Sequence, residues 1–405
     1  MKKRFFYQIK QIKKGKQQTP TLDAMRGANI RQARNNIGAT LAEFSGGICS
    51  IGQLSKGERG LISFNEDIYY ALVKKGGIKP ILRVSQNSLD YEQLSLSIMT
   101  KQELPIPNIE QDNPFESQFY KASKQCIERN FQKLDAILNE LVYNCEYLTS
   151  DQYTYLVFLL TLYYYETGRY QYAFLVSSVI ELSIWNVTET LIGYLRLSSS
   201  FNINNSSFIY LNYDNYLKRM YSRDLLVMAS NIRQKYFVYD NVYSVLLRKT
   251  IVNEFPMLSL EQTNFLEISV MLKEKKYDLL KKNSTLQINH IHLDWDHQLI
   301  DLIVMDLNKN IDQIYEKYCH IAPINCNTDF FLNYLRMKYD KSSTNTLNIL
   351  NLFKLNLENV QNVALLKYLL YDVVLFFNKT RHYKLSSTIS SLITNQLDSI
   401  LQFII

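Results

Sequence analysis

Glycine and proline are placed so unevenly along the 405 residues that most of the chain is left with little to build except helix. Ten of the twelve glycines lie at or before Gly77 and none follows Gly193, while five of the seven prolines precede residue 115. From Phe115 onward about 290 residues contain two of each. Strands joined by tight turns need residues that reach positive φ or arrive with φ preset, and this stretch cannot supply them. The expected class is therefore all-α. The polar run from Lys101 to Asn113, with Pro105, Pro107 and Pro114 in or beside it, reads as a linker.

Within the glycine-poor region an aromatic or aliphatic anchor returns. Gly168-Arg169-Tyr170-Gln171-Tyr172-Ala173 has the Gly-x-Tyr-x-x-Ala of a tetratricopeptide turn, in which a small residue lets the second helix of a pair approach the first. Anchors without the glycine stand at Phe131, Tyr277, Ile311, Leu347 and Tyr383. The six are separated by 39, 107, 34, 36 and 36 residues, close to whole multiples of a 34-residue unit with small insertions. Hairpins of this kind bury their apolar faces by stacking on neighbours, so a degenerate helical solenoid is expected. Thirty tyrosines, dense from Tyr163 to Tyr172, fit either inter-helix packing or a groove of Tyr and Asn suited to an extended peptide.

The N-terminal part carries its own pattern. Thr40-x-x-Glu43 and Ser50-x-x-Gln53 both fit the capping box, and Gly46-Gly47 falls between them where one helix must end. Ser63-x-x-Glu66 has the form of a third box, before a helix over 65–75 that ends at Gly76-Gly77. Two short capped helices joined by a tight turn read as a helix-turn-helix.

These residues resemble a known family. Ile30-Arg31-x-Ala33-Arg34, Gly38-x-Thr40-Leu41-x-Glu43-Phe44-Ser45 and Ile48-Cys49-Ser50-x-x-x-Leu54-Ser55-Lys56-x-Glu58-x-Gly60 are similar to the lambda-repressor-like (XRE) DNA-binding domain. The wording is nearest to the Rgg, PlcR and PrgX group of peptide-pheromone receptors of Gram-positive bacteria, and the likeness covers roughly residues 26 to 78. The resemblance implies that Thr40, Ser50, Gln53 and Lys56 face the major groove, and that Arg34 and Glu58 form an internal ion pair. It also implies a C-terminal groove for a short signalling peptide, with no motif here to number its residues. Gly52 and Gly57 depart from the family pattern, and each is expected to cost about 1 kcal/mol of helix stability relative to Ala.

Charge distribution bears on the same end of the chain. The first twenty residues hold seven Lys or Arg, among them Lys2, Lys3 and Arg4, and no acid. Residues 1–77 carry fourteen basic and five acidic residues, net +9, against +7 for the whole protein. Such a segment suits an arm that tracks phosphates, and equally a solvated tail.

His290-x-His292-x-Asp294-Trp295-Asp296-His297 has part of the spacing of a metallo-hydrolase zinc motif, but Trp295 takes the place of a ligand, so neither a catalytic metal nor a cofactor is expected. No phosphate loop or nucleophile elbow occurs, and an enzyme is not expected. Five cysteines without Cys-x-x-Cys pairing suggest free thiols in a reducing cytoplasm. The longest apolar run, Tyr153 to Tyr165, is too short to span a bilayer.

The expected organisation is a basic arm over 1–21, a helix-turn-helix DNA-binding domain over 22–85, a linker over 86–114 and a tetratricopeptide-like sensor and dimerisation domain over 115–405. The expected function is a DNA-binding regulator that senses a short peptide, acting as a cytoplasmic homodimer on palindromic double-stranded DNA. The alternatives are a helical-repeat interaction scaffold with a degenerate head, or a ligand-free regulator of a mobile element.

Overall fold

The structure is a computed structural model that describes residues 2–15, 21–78, 80–81, 89–105, 114–182, 186–240, 247–282, 297–308, 323–339 and 345–402. Among them are twenty-one α-helices, two single 3₁₀ turns and no strand. No helix of the described residues is long and apolar enough to cross a membrane. The chain divides into two compact units, residues 1–163 with 176–192 and residues 164–175 with 193–405.

The first unit begins with α1 (Lys2–Gly15), α2 (Leu22–Asn36), α3 (Leu41–Ser45), α4 (Ile51–Gly57) and α5 (Glu66–Gly76). Ile30 and Ala33 of α2, Phe44 of α3, Leu54 of α4 and Tyr69, Leu72 and Val73 of α5 close a small core, with Phe64 from the preceding loop. Helix α5 is capped by Asn65, whose side chain accepts from the Asp67 N–H, so the third capping box is not formed. Ser63 instead donates its hydroxyl proton to Asp23 of α2.

Residues 2–15 of the basic segment are described, and they are helical. Within α1, Phe5, Gln8 and Ile12 recur at helical spacing on a face that is buried. That face packs on α8 (Phe131–Tyr143) and on the 3₁₀ turn Cys145–Tyr147. Gln8 Nε2 donates to Asn139 Oδ1 at 2.7 Å, and the Tyr153 hydroxyl donates to the Ile12 carbonyl at 2.8 Å. The expected linker is also partly folded. It contains α6 (Tyr91–Thr100), capped by Asp90 and buried through Tyr91, Leu94 and Ile98. Tyr91 packs edge-on to Phe119 of α7 (Pro114–Ile127), and lies against Tyr155 of α9 (Ser150–Glu166). Residues 115–163 thus belong with the N-terminal helices rather than with the C-terminal body.

The remaining helices are α10 (Tyr170–Ser177), α11 (Val187–Ile203), α12 (Ser206–Ser222), α13 (Leu226–Asp240), α14 (Leu247–Glu254), α15 (Leu260–Lys273), α16 (Tyr277–Lys282), α17 (His297–Asn308), α18 (Cys326–Tyr339), α19 (Asn345–Asn356), α20 (Val363–Lys379) and α21 (Tyr383–Gln402). Many are linked by one recurring turn. Arg129, Gly168, Asn204, Asp224, Lys275 and Arg381 all take φ between 55° and 77°, and in every case the next helix begins two residues later. The residue after each donates its N–H to the carbonyl five positions back at 2.8 to 3.0 Å, the closing bond of a Schellman motif. Four of the sequence anchors, Phe131, Tyr170, Tyr277 and Tyr383, are therefore first residues of helices; Leu347 is the third residue of α19, and Ile311 lies outside the described residues.

At the glycine of this series a side chain would not fit. A Cβ on Gly168 would lie 2.5 Å from Asn327 Nδ2, which donates to the Gly168 carbonyl. Asn327 is fully buried, and its Oδ1 accepts from the N–H groups of Gln361 and Asn362, so one amide joins the Gly168 turn to the entry of α20.

Candidate nucleic-acid interface

The α3–turn–α4 segment is set by three local devices. In the first, Thr40 Oγ1 accepts from the Glu43 N–H at 3.2 Å while the Glu43 carboxylate accepts from the Thr40 N–H at 2.8 Å. The second repeats this at Ser50 and Gln53, with both bonds at 3.1 Å. Between them Gly46 closes α3 in the left-handed region, and Gly47 continues the turn with φ at 82°. The third is an ion pair between half-buried Arg34 and buried Glu58. Arg34 Nε and Nη2 donate to the two Glu58 oxygens at 2.6 and 2.9 Å, and Arg34 Nη1 donates to the Ala39 carbonyl. The carboxylate hydrogen-bonded to Arg34 pushes its guanidinium pKa up. This pair ties the end of α4 to α2, and Tyr147 adds a hydroxyl donated to the Glu58 carbonyl.

With α4 so anchored, Leu54 and Gly57 face inward, while Ile51, Gly52, Gln53 and Lys56 are exposed. Ser50, Gln53 and Lys56 fall at steps of three and share the outward side. Gln53 spends its carbonyl oxygen on the cap, so the Nε2 end of its amide is the part left to face a ligand. Thr40 is exposed, with its hydroxyl donated to Glu43. Lys2, Lys3 and Arg4 belong to the first turn of α1, and their side chains lie outside the described ones, whereas Lys10 and Lys13 further along the helix are exposed. Arg59, Lys74 and Lys75 are further exposed cations of this unit that the motif spacing did not single out. Lys75 reaches back to donate to the Glu43 carbonyl at 2.7 Å.

Helix propensity alone makes Gly57 a weak point of α4. The position is glycine for a packing reason, since a Cβ there would lie 2.1 Å from the Phe64 ring, and a Cβ on Gly27 would lie 2.0 Å from the Gly57 carbonyl. Helices α2 and α4 thus touch through backbone at the glycine pair. Gly52 faces open space and has no such reason.

A concave feature in the second unit has no counterpart among the sequence motifs. A cavity of about 160 Å³ is lined by residues of α11, α13, α15, α16, α17 and α20, including Lys235, Lys273, Lys367, Asn202 and Asn362. The tyrosine-dense run contributes to packing instead: Tyr163, Tyr164, Tyr165, Tyr170 and Tyr172 are all buried. Of the cluster 290–297, residues 290–296 lie outside the described residues and His297 begins α17; Cys319 also lies outside them, and the other four cysteines form no disulfide. Comparison of the chain with protein families, with curated proteins and with solved structures gives no significant match.

Proposed function

We propose that this chain is a transcriptional regulator in which α3 and α4 form an XRE-type helix-turn-helix on duplex DNA, and a tetratricopeptide-like body in the second unit senses a short intracellular signalling peptide. The observation that carries the proposal is the outward face of α4. The reciprocal Ser50–Gln53 capping box and the Arg34–Glu58 pair hold a seven-residue helix, about 10 Å long, so that Ser50, Gln53 and Lys56 point away from the core. A helix of this size, presented with an amide and an ammonium at one-turn spacing, fits the major groove. The net +9 of residues 1–77 supplies the sequence-independent attraction to phosphate. Homodimerisation on a palindrome is expected from the rule that half-site spacing mirrors protein symmetry.

The decisive measurement is DNA affinity of the full chain across a salt series. Lys56→Ala is expected to weaken all sequences alike and to lower the salt slope by about one, while Gln53→Ala relaxes preference at one base pair of each half-site, by about 1 to 3 kcal/mol. Gln53→Glu separates reading from folding, since it keeps the cap acceptor and removes the Nε2 donor. Unchanged DNA binding in all three variants, or no salt-dependent binding of the parent chain, would make the head an interaction module instead.

A further inference from the structure

The cavity of the second unit has a chemistry of its own. Its walls are largely apolar, with Leu272, Tyr277, Leu299 and Ile303 among them, and its charged lining among the described residues consists of three lysines with no carboxylate. Each lysine is held differently. Lys235 is buried with its ammonium 3.0 Å from the Tyr165 hydroxyl and 5.5 and 5.7 Å from the centres of the Tyr165 and Tyr194 rings. Lys273 donates to the Tyr239 carbonyl and lies 3.2 Å from Glu274, which is outside the lining. Lys367 is half-buried and has neither a hydrogen bond nor an ion pair among the described residues. Burial, and then the positive charges of Lys275 and Lys273, push the Lys367 ammonium below its ordinary range, with Glu274 offsetting only part of that.

Apart from Glu274, which pairs with Lys273, polar groups near this charge are engaged with other partners. The Tyr368 hydroxyl donates to Asp306, which is buried and does not line the cavity. The Asn362 side-chain oxygen caps α20, and its amide donates to Asn202. Desolvated like charges at the edge of an apolar cavity repel, and an anion placed among them offsets that repulsion. A cavity of about 150 Å³ takes a body the size of a benzene ring.

We propose that this cavity binds a monocarboxylate with an apolar body of about one ring, its carboxylate held by Lys367 and Lys273 and its body between α15, α17 and α20. The chemistry is shared by a free organic acid and by the C-terminal residue of a peptide. The proposal deepens the sensing half of the proposed function, and its test reads binding without DNA, so that either can fail while the other stands.

The test titrates full-length protein with four probes by calorimetry: 3-phenylpropionate, 3-phenylpropionamide, N-acetylphenylalanine and N-acetylphenylalanine amide. Both acids are expected to bind at least tenfold more tightly than their amides. Lys367→Gln removes that preference while leaving the amides unchanged, and it folds normally because it relieves repulsion. Lys275→Gln, outside the lining, keeps most of the preference. N-acetylphenylalanine binding tighter than phenylpropionate assigns the site to a peptide terminus, and the reverse order assigns it to a free acid. Equal binding of acid and amide, acid binding indifferent to Lys367→Gln, or no binding of any probe at millimolar concentration overturns the proposal.

Discussion

Among single residues, the two glycines of α4 answer to different forces. Gly52 is exposed with nothing near its missing Cβ, so Gly52→Ala is expected to stabilise the protein by about 1 kcal/mol through helix propensity. Gly57→Ala meets the Phe64 ring and is expected to destabilise, by about 1 to 3 kcal/mol, as overpacking does. Urea midpoints of the two variants, measured side by side, should move in opposite directions. A buried cluster in the second unit gives a larger effect. Lys338 Nζ lies 2.8 Å from Asp306 and 2.7 Å from Asp372, and Tyr334, Tyr339 and Tyr368 donate their hydroxyls to the same carboxylates. Lys338→Met leaves two buried carboxylates without their cation and is expected to cost about 3 to 5 kcal/mol. Adding Asp372→Asn should recover part of that loss in a double-mutant cycle, because burial, and then the charge of Asp306, already push the Asp372 carboxyl upward.

Between helices, the Schellman turns and α1 decide how elements are joined and covered. Lys275 and Arg381 hold left-handed φ values of 57° and 60° that cost a non-glycine residue about 1 kcal/mol. Lys275→Gly and Arg381→Gly are expected to be neutral to stabilising by up to about 1 kcal/mol, the greater freedom of glycine in the unfolded chain offsetting part of the gain. A thermal denaturation scan that shows both variants clearly destabilised would mean the side chains themselves hold the turns. Helix α1 is a cover for α8 as well as a carrier of charge. Ile12→Ala should lower the stability of the chain by about 2 to 5 kcal/mol, whereas Lys10→Gln with Lys13→Gln should leave the denaturation midpoint in place and flatten the salt dependence of any DNA binding.

Across the protein the buried tyrosines set the response to alkali. Burial raises the hydroxyls of Tyr155, Tyr334 and Tyr368 well above 10, and Asp372 and Asp306 raise the latter two further. Desolvation pulls the Lys338 ammonium down, but its two carboxylates outweigh that and carry it above 10.5. A group whose folded pKa exceeds its unfolded one holds its proton where the unfolded chain loses it, so the linked stability is complete below pH 10 and falls as pH rises beyond it. Unfolding free energy is expected to decline steeply above pH 10, with tyrosinate absorbance appearing together with loss of helix signal. Gradual titration of all thirty tyrosines in a protein still helical would contradict this placement.

Features that depend on near neighbours were legible from the order of residues. Capping boxes at Thr40 and Ser50, glycines in the turn between them and the absence of glycine after Gly193 each act within a few positions, and they specify helices and ends directly. Non-glycine Schellman turns at Arg129, Lys275 and Arg381 left only the following aromatic as a trace, because tertiary packing holds a conformation that local preference resists. The fold of α6 within the expected linker, and that of the basic segment, came from burial of Tyr91 and Ile12 against partners far along the chain. The three cavity lysines lie 38 and 94 residues apart on α13, α15 and α20, so only the packing of those helices could make them neighbours.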